Sequence, residues 1–168
     1  DLIEPTVFVA GDPFIQFRNV TRARIQGAEA GLRTGLAQLG LGLNFGYTYV
    51  WAREIDSVGQ ELPLKFRPRH LFTSGLVWSE GAFQAGVEYR YNSLIERIDE
   101  NLSLIIPDGD ARVSIHVVDL RFSFKLSRFG VPLRIGLDVN NLLNYYYVEL
   151  TGNMAPLRSY LLSLEGSF

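Results

Sequence analysis

The side chains in this sequence best suited to chemistry are few and scattered. His70 stands beside Arg67 and Arg69 at the start of one apolar stretch and His116 opens another, yet neither has an acid or nucleophile at the spacing of a triad. Gly40, Gly42 and Gly46 have the spacing of small residues in a phosphate loop, but no helical pattern follows to carry the anion. The densest group is acidic: between 96 and 112, Glu96, Asp99, Glu100, Asp108 and Asp110 outnumber Arg97 and Arg112. Oxygen ligands hold Ca²⁺, and Asp108-Gly109-Asp110 is turn-like, but the spacing matches no calcium loop. A solvated acidic loop is the expectation. Neither a catalytic set, a metal centre nor a cofactor motif emerges.

The remaining charges are informative because of what lies between them. Glu88 and Arg90, Asp119 and Arg121, and Arg134 and Asp138 each alternate with large apolar residues. From 83 to 92, Phe83, Ala85, Val87, Tyr89 and Tyr91 take one side, and Gln84, Gly86, Glu88, Arg90 and Asn92 the other. From 118 on, Val118, Leu120, Phe122, Phe124 and Leu126 oppose Asp119, Arg121, Ser123, Lys125 and Ser127, and Leu133, Ile135, Leu137 and Val139 repeat the split. A period of two belongs to a strand with two different faces; a helix cannot sort these residues. Strands are expected at 17–33, 39–52, 68–79, 82–96, 113–128, 132–141 and 158–168.

Their connections alternate in length. Short links near 34–38, 79–82 and 128–132 carry Gly, Pro or Ser, whereas those at 53–67, 97–112 and 142–157 are long. A meander with short turns at one rim and long loops at the other is the pattern of an outer-membrane barrel, with the long loops extracellular. Eleven residues from Leu41 to Trp51, rising ~3.4 Å each at a ~45° tilt, cover roughly 25 Å, the height of its apolar band. On that strand Leu41, Leu43 and Phe45 give way to Tyr47, Tyr49 and Trp51, so amphipathic rings gather toward the long-loop rim, as in an interface girdle. Trp78 and Phe83 flank a short turn at the opposite rim. The expectation is an all-β, antiparallel up-and-down transmembrane barrel segment in which Phe83, Val87, Tyr89, Val118, Leu120, Phe122, Ile135 and Leu137 point outward. The six charged residues then line the lumen, because mid-membrane each Arg or Lys would cost roughly 2–4 kcal/mol. They are expected to pair across strands.

Composition narrows the alternatives. With 16 Lys and Arg against 18 Asp and Glu there is no basic field for nucleic acid. The absence of cysteine removes disulfides and thiolate chemistry. No apolar run approaches the ~20 residues of a membrane-spanning helix. Seven strands are an odd count where single-chain barrels close on even ones, and Pro5 and Pro13 make residues 1–16 a poor eighth. Residues 1–3 are expected to end a strand and the following residues to form a loop, with the barrel continuing before Asp1. A small self-contained barrel, acting as adhesin or enzyme, and a soluble β-sandwich binding module remain open on these grounds.

Four stretches, Asn19 to Glu29 (NVTRARIQGAE), Leu62 to His70 (LPLKFRPRH), Asp138 to Asn144 (DVNNLLN) with Tyr145 to Tyr147, and Arg158 to Phe168 (RSYLLSLEGSF), resemble the closing strands of TonB-dependent outer-membrane transporters. The resemblance implies that residues 1–168 are the C-terminal portion of a ~22-stranded barrel, its last seven or eight strands. A plug domain and the earlier strands would lie outside this sequence. It also implies a bacterial outer-membrane location, lipid around the wall, a TonB complex as energy source and a scarce nutrient as cargo: an iron–siderophore complex, cobalamin or a similar small molecule or metal chelate. The ending resembles the signal read by the barrel-assembly machinery, with Tyr160, Leu162, Leu164 and Phe168 on one face; Gly166 departs from it, a bulky apolar residue being usual there.

Overall fold

The computed structural model describes residues 2–8, 14–20, 22–55, 58–99, 112–150 and 153–166. Among the described residues there are twelve strands: β1 (Leu2–Phe8), β2 (Phe14–Val20), β3 (Ala23–Leu36), β4 (Leu41–Ile55), β5 (Glu61–Pro63), β6 (His70–Glu80), β7 (Phe83–Asn92), β8 (Ile115–Lys125), β9 (Leu133–Asn140), β10 (Val148–Leu150), β11 (Asn153–Met154) and β12 (Ser159–Gly166). The main sheet runs β12-β9-β8-β7-β6-β4-β3, with β5 added against β4. Apart from β5, its members are the seven strands the alternation predicts, in meander order. The 11 residues of β6 and of β8 also match the span of an apolar band.

The short links are built as expected from glycine. Gly40 closes a 3₁₀ turn at Ala37–Leu39 with φ +62°, Gly130 closes another at Leu126–Phe129 with φ +81°, and Gly81 turns β6 into β7. The second turn ends β8 at Lys125, short of the expected 128, because the Gly130 N–H bonds back to the carbonyls of Leu126 and Ser127.

Three expectations need correction. The strand expected to end at residue 3 continues to Phe8, and β1 and β2 pair antiparallel with Pro5 opposite Phe17, while residues 9–13 of the expected loop lie outside the described residues. A proline rules out a central strand but fits an edge, and in a two-stranded ladder both strands are edges. The strand expected at 17–33 is consequently split, with residues up to Val20 in β2. The long connections, finally, are partly structured. β4 continues to Ile55, where β5 pairs with it, and β10 and β11 form a hairpin within 142–157.

The chain divides into two units. One comprises Asp1–Ala28, Thr48–His70 and Asn92–Ser114; the other comprises Glu29–Tyr47, Leu71–Tyr91 and Ile115–Phe168. In the second, side-chain contacts identify the two faces of the sheet. Phe45 meets Phe72 edge-on at 5.0 Å, Phe72 lies 5.9 Å from Tyr89, and Trp78, Phe83 and Phe122 form a separate run. The register puts Leu120 and Tyr160 opposite Val139, and Phe122 and Leu162 opposite Leu137. All eight residues expected to point outward share this ring-bearing face. Phe83, Val87, Ile135 and Leu137 are 36–40% exposed, and the other four are half-buried among their neighbours rather than under a second layer. No described side chain is fully enclosed. A small apolar cluster, Ile115, Val117 and Tyr147, lies on the opposite, polar face of β8.

Candidate functional site

The polar face of the second unit gathers the charges that the sequence sets between apolar residues. Glu88 and Arg121 pair across β7 and β8 at 3.4 Å. Arg134 pairs at 3.6 Å with Glu165 of β12, a partner the sequence reading did not single out. Both pairs are well exposed, so each contributes little to stability. Asp138 lies opposite Arg121 in the β8–β9 register. The other two charges reach beyond the sheet. Arg90 donates to the Tyr147 hydroxyl at 3.1 Å, and Asp119 accepts the backbone N–H of Asn141 at 2.7 Å. Both hold the connection between β9 and β12.

That connection is clamped by two asparagines. Asn141, 3% exposed, has φ +50°, a left-handed conformation that Asn tolerates better than most residues. Its Nδ2 donates to the carbonyls of Tyr145 (2.9 Å) and Pro156 (3.2 Å), while its Oδ1 accepts the Tyr145 N–H (2.8 Å). Asn144, also left-handed, accepts the Arg158 N–H at 3.0 Å. Entry to and exit from the connection are thereby tied together, and Tyr147 is pressed onto Ile115 and Val117. The repeated asparagines of DVNNLLN are the sequence signal for this clamp; its geometry was not readable from them.

On the ring-bearing face His116 sits among tyrosine rings. Its Nδ1 lies 2.9 Å from the Tyr89 hydroxyl, and the rings of Tyr91 and Tyr145 lie 5.0 and 5.9 Å away. Gly42 and Gly46 sit on β4, where a Cβ on Gly46 would lie 2.8 Å from Thr73 Oγ1. The glycine spacing therefore makes room for neighbouring strands and does not cradle phosphate.

In the first unit the His70 ring lies 5.4 Å from that of Tyr49, tilted by 46°, and the backbone N–H groups of His70 and Arg69 both donate to Ser93 Oγ at 3.0 Å. LPLKFRPRH folds into a turn with Phe66 at φ +58°. Leu64 is buried, Lys65 pairs with buried Asp99 at 3.7 Å, and Arg97 binds Glu54 at 2.6 Å and the Pro63 carbonyl at 3.2 Å. Glu96 pairs with Arg69 at 2.7 Å. Two acids of the acidic loop are thus committed to cations. Glu100, Asp108 and Asp110 lie outside the described residues, among which no group of three or more His, Asp or Glu is placed to hold a metal.

Of the expected assembly residues, Tyr160, Leu162 and Leu164 share the ring-bearing face of β12 and are 67–74% exposed. β12 is an edge of the sheet. Phe168 lies outside the described residues.

A family model described as the TonB-dependent receptor-like β-barrel matches residues 3–142. Among solved structures, one named copper transporter OprC superposes on the whole of this chain with a TM-score of 0.71 at 21% identity, a likeness of fold alone. This chain spans 27% of that one. No curated protein sequence matches.

Proposed function

Because the chain belongs to the TonB-dependent receptor-like β-barrel family, we propose that it supplies the C-terminal part of the wall, and several extracellular loops, of a transporter that draws a scarce nutrient across the bacterial outer membrane. The observation that carries this is the two-faced single sheet. Ring ladders and exposed Val87, Ile135 and Leu137 occupy one side, and Glu88, Arg121, Arg134 and Glu165 the other. A wall between lipid and a polar interior uses both faces that way. Glu88, Arg90, Asp119, Arg121, Arg134 and Asp138 then face the lumen, where a plug domain packs, and their pairs serve the scaffold. An iron–siderophore complex, cobalamin or a similar chelate is the cargo class the family suggests, taken up with energy from the TonB complex. The copper in the neighbour's name gains no support from the described residues, which offer no metal-holding group.

The 168 residues contain no cysteine, which makes a labelling test simple. In the full-length barrel, freed of cysteines elsewhere, a fluorophore on Val87→Cys should be quenched by lipid-borne quenchers and one on Glu88→Cys by aqueous quenchers. Uptake of labelled chelates and cobalamin should fall when the membrane potential is collapsed. The opposite quenching pattern refutes the wall assignment, and uptake indifferent to the potential refutes energised transport.

A further inference from the structure

At the end of β4 that carries Tyr49 and Trp51, the ring-bearing face turns cationic. The bond from the Ile55 N–H to the Arg22 carbonyl (2.9 Å) sets these two residues opposite each other, and in an antiparallel pair this places Arg24 opposite Arg53. On the other side of β4, Ile55 lies opposite Glu61 and Arg53 opposite Pro63. Arg24 reaches across to Glu61 at 3.2 Å, so all of these residues share one face. Arg53 lies over Trp51, 5.2 Å from the ring centroid, which fixes it to the same face as Tyr49 and His70. Two arginines directly opposed on neighbouring strands repel each other. Glu61 offsets one of them, and Glu96 approaches Arg53 only to 4.0 Å. Arg22 is exposed and makes no ion pair with any described residue.

We propose that Arg22, Arg24 and Arg53 form a seat for the phosphate of an anionic outer-leaflet glycolipid, with Tyr49, Trp51 and His70 marking the depth at which the headgroup meets the acyl chains. This rests on the outer-membrane reading above. Three guanidiniums on a lipid-facing surface would be costly below the ring belt, but above it they meet headgroups. There a planar fork takes two phosphate oxygens at once and a third cation adds charge. Trp51 holds the half-buried Arg53 guanidinium over its ring, where Glu96 reaches it only at 4.0 Å. The remaining positive charge fits a lipid phosphate rather than a further carboxylate of the chain.

The test uses the full-length protein in non-ionic detergent, titrated with lipid A carrying two phosphates and, separately, with its dephosphorylated form, bound lipid being counted by native mass spectrometry. Each of Arg22→Gln, Arg24→Gln and Arg53→Gln should weaken binding about fivefold, and the triple variant about a hundredfold. The dephosphorylated lipid should bind the wild type no better than the phosphorylated lipid binds the triple variant. Arg134→Gln, on the other face, should bind as wild type. Heat-modifiable mobility reports that each variant is folded, and single substitutions serve should the triple variant fail. Wild-type affinity in the folded variants overturns the proposal, and so does competition by inorganic phosphate, which would mean a site for the free anion. The quenching pattern at Val87→Cys and Glu88→Cys, read in the same preparations, separates either failure from failure of the wall assignment.

Discussion

Replacing Asn141 with alanine should release the connection that precedes the last strand without unfolding the wall. The side chain makes three hydrogen bonds, to the Tyr145 N–H and to the carbonyls of Tyr145 and Pro156, all at 2.8–3.2 Å around a residue 3% exposed. At a net value of about 1 kcal/mol each, their loss costs about 3 kcal/mol. Holding alanine at φ +50° adds about 1 kcal/mol more, which glycine would not incur. The Asp119 bond to the Asn141 N–H is retained, because it uses backbone. Hydrogen exchange at the Tyr145 amide, measured in the full-length barrel, reads the local opening directly. About 3 kcal/mol corresponds to a roughly hundredfold faster exchange in Asn141→Gly, with Asn141→Ala faster still. Amides in the centre of β8 should keep their wild-type rates. Wild-type exchange at Tyr145 in both variants would refute the clamp, and equal rates in the two would refute the backbone cost assigned to alanine at this position.

Leu137→Arg, on the ring-bearing face, should destabilise the reconstituted barrel by about 2–4 kcal/mol, while Gln84→Arg on the polar face should stay near wild type; equal effects in a denaturant titration would mean the faces are misassigned. Gly27→Ala should lower stability by about 1–3 kcal/mol, because its Cβ would lie 2.5 Å from the Tyr49 carbonyl oxygen, whereas at Gly136 the obstacle is the rotatable Ser163 hydroxyl and the same substitution should be mild. Deleting Phe168 removes one apolar side chain worth only ~2–3 kcal/mol, so a sharp fall in surface abundance with normal uptake per molecule would mark it as an assembly signal. Unchanged abundance with slower uptake would defeat that. Protease added to intact cells should cut within 53–67, 97–112 and 142–157 and spare the turns at Gly81 and Gly130; the reverse would invert the orientation.

The strands were legible because their two faces meet different surroundings, so every second residue carries the signal. What escaped was decided by contacts a period cannot encode. β5 and β10–β11 are two or three residues long, too short to alternate. Ile115 and Val117 interleave with His116 and Val118, so apolar residues stand on both sides and nothing local says which pair meets Tyr147. Pro5 argued against a strand because it cannot donate to a ladder, and the two-stranded pair offers it an edge. Among the charges, Glu88 and Arg121 pair as expected. Arg90 and Asp119 were legible as polar-face residues, but their bonds to a tyrosine hydroxyl and a backbone amide 57 and 22 positions away were not.

The thinness of the sheet bears on how this protein's stability should be understood. Among the described residues only Leu64, Ile115, Val117, Val139 and Tyr147 are buried apolar side chains, while Leu137, Leu162, Leu164 and their neighbours are left uncovered. The hydrophobic free energy of the wall therefore belongs to the boundary between protein and amphiphile, and its magnitude changes with the amphiphile. A melting temperature measured in a short-chain detergent and one measured in a bilayer are properties of two different composites. Chain length and headgroup charge become variables of folding in the way that pH and salt are for a protein with a core of its own.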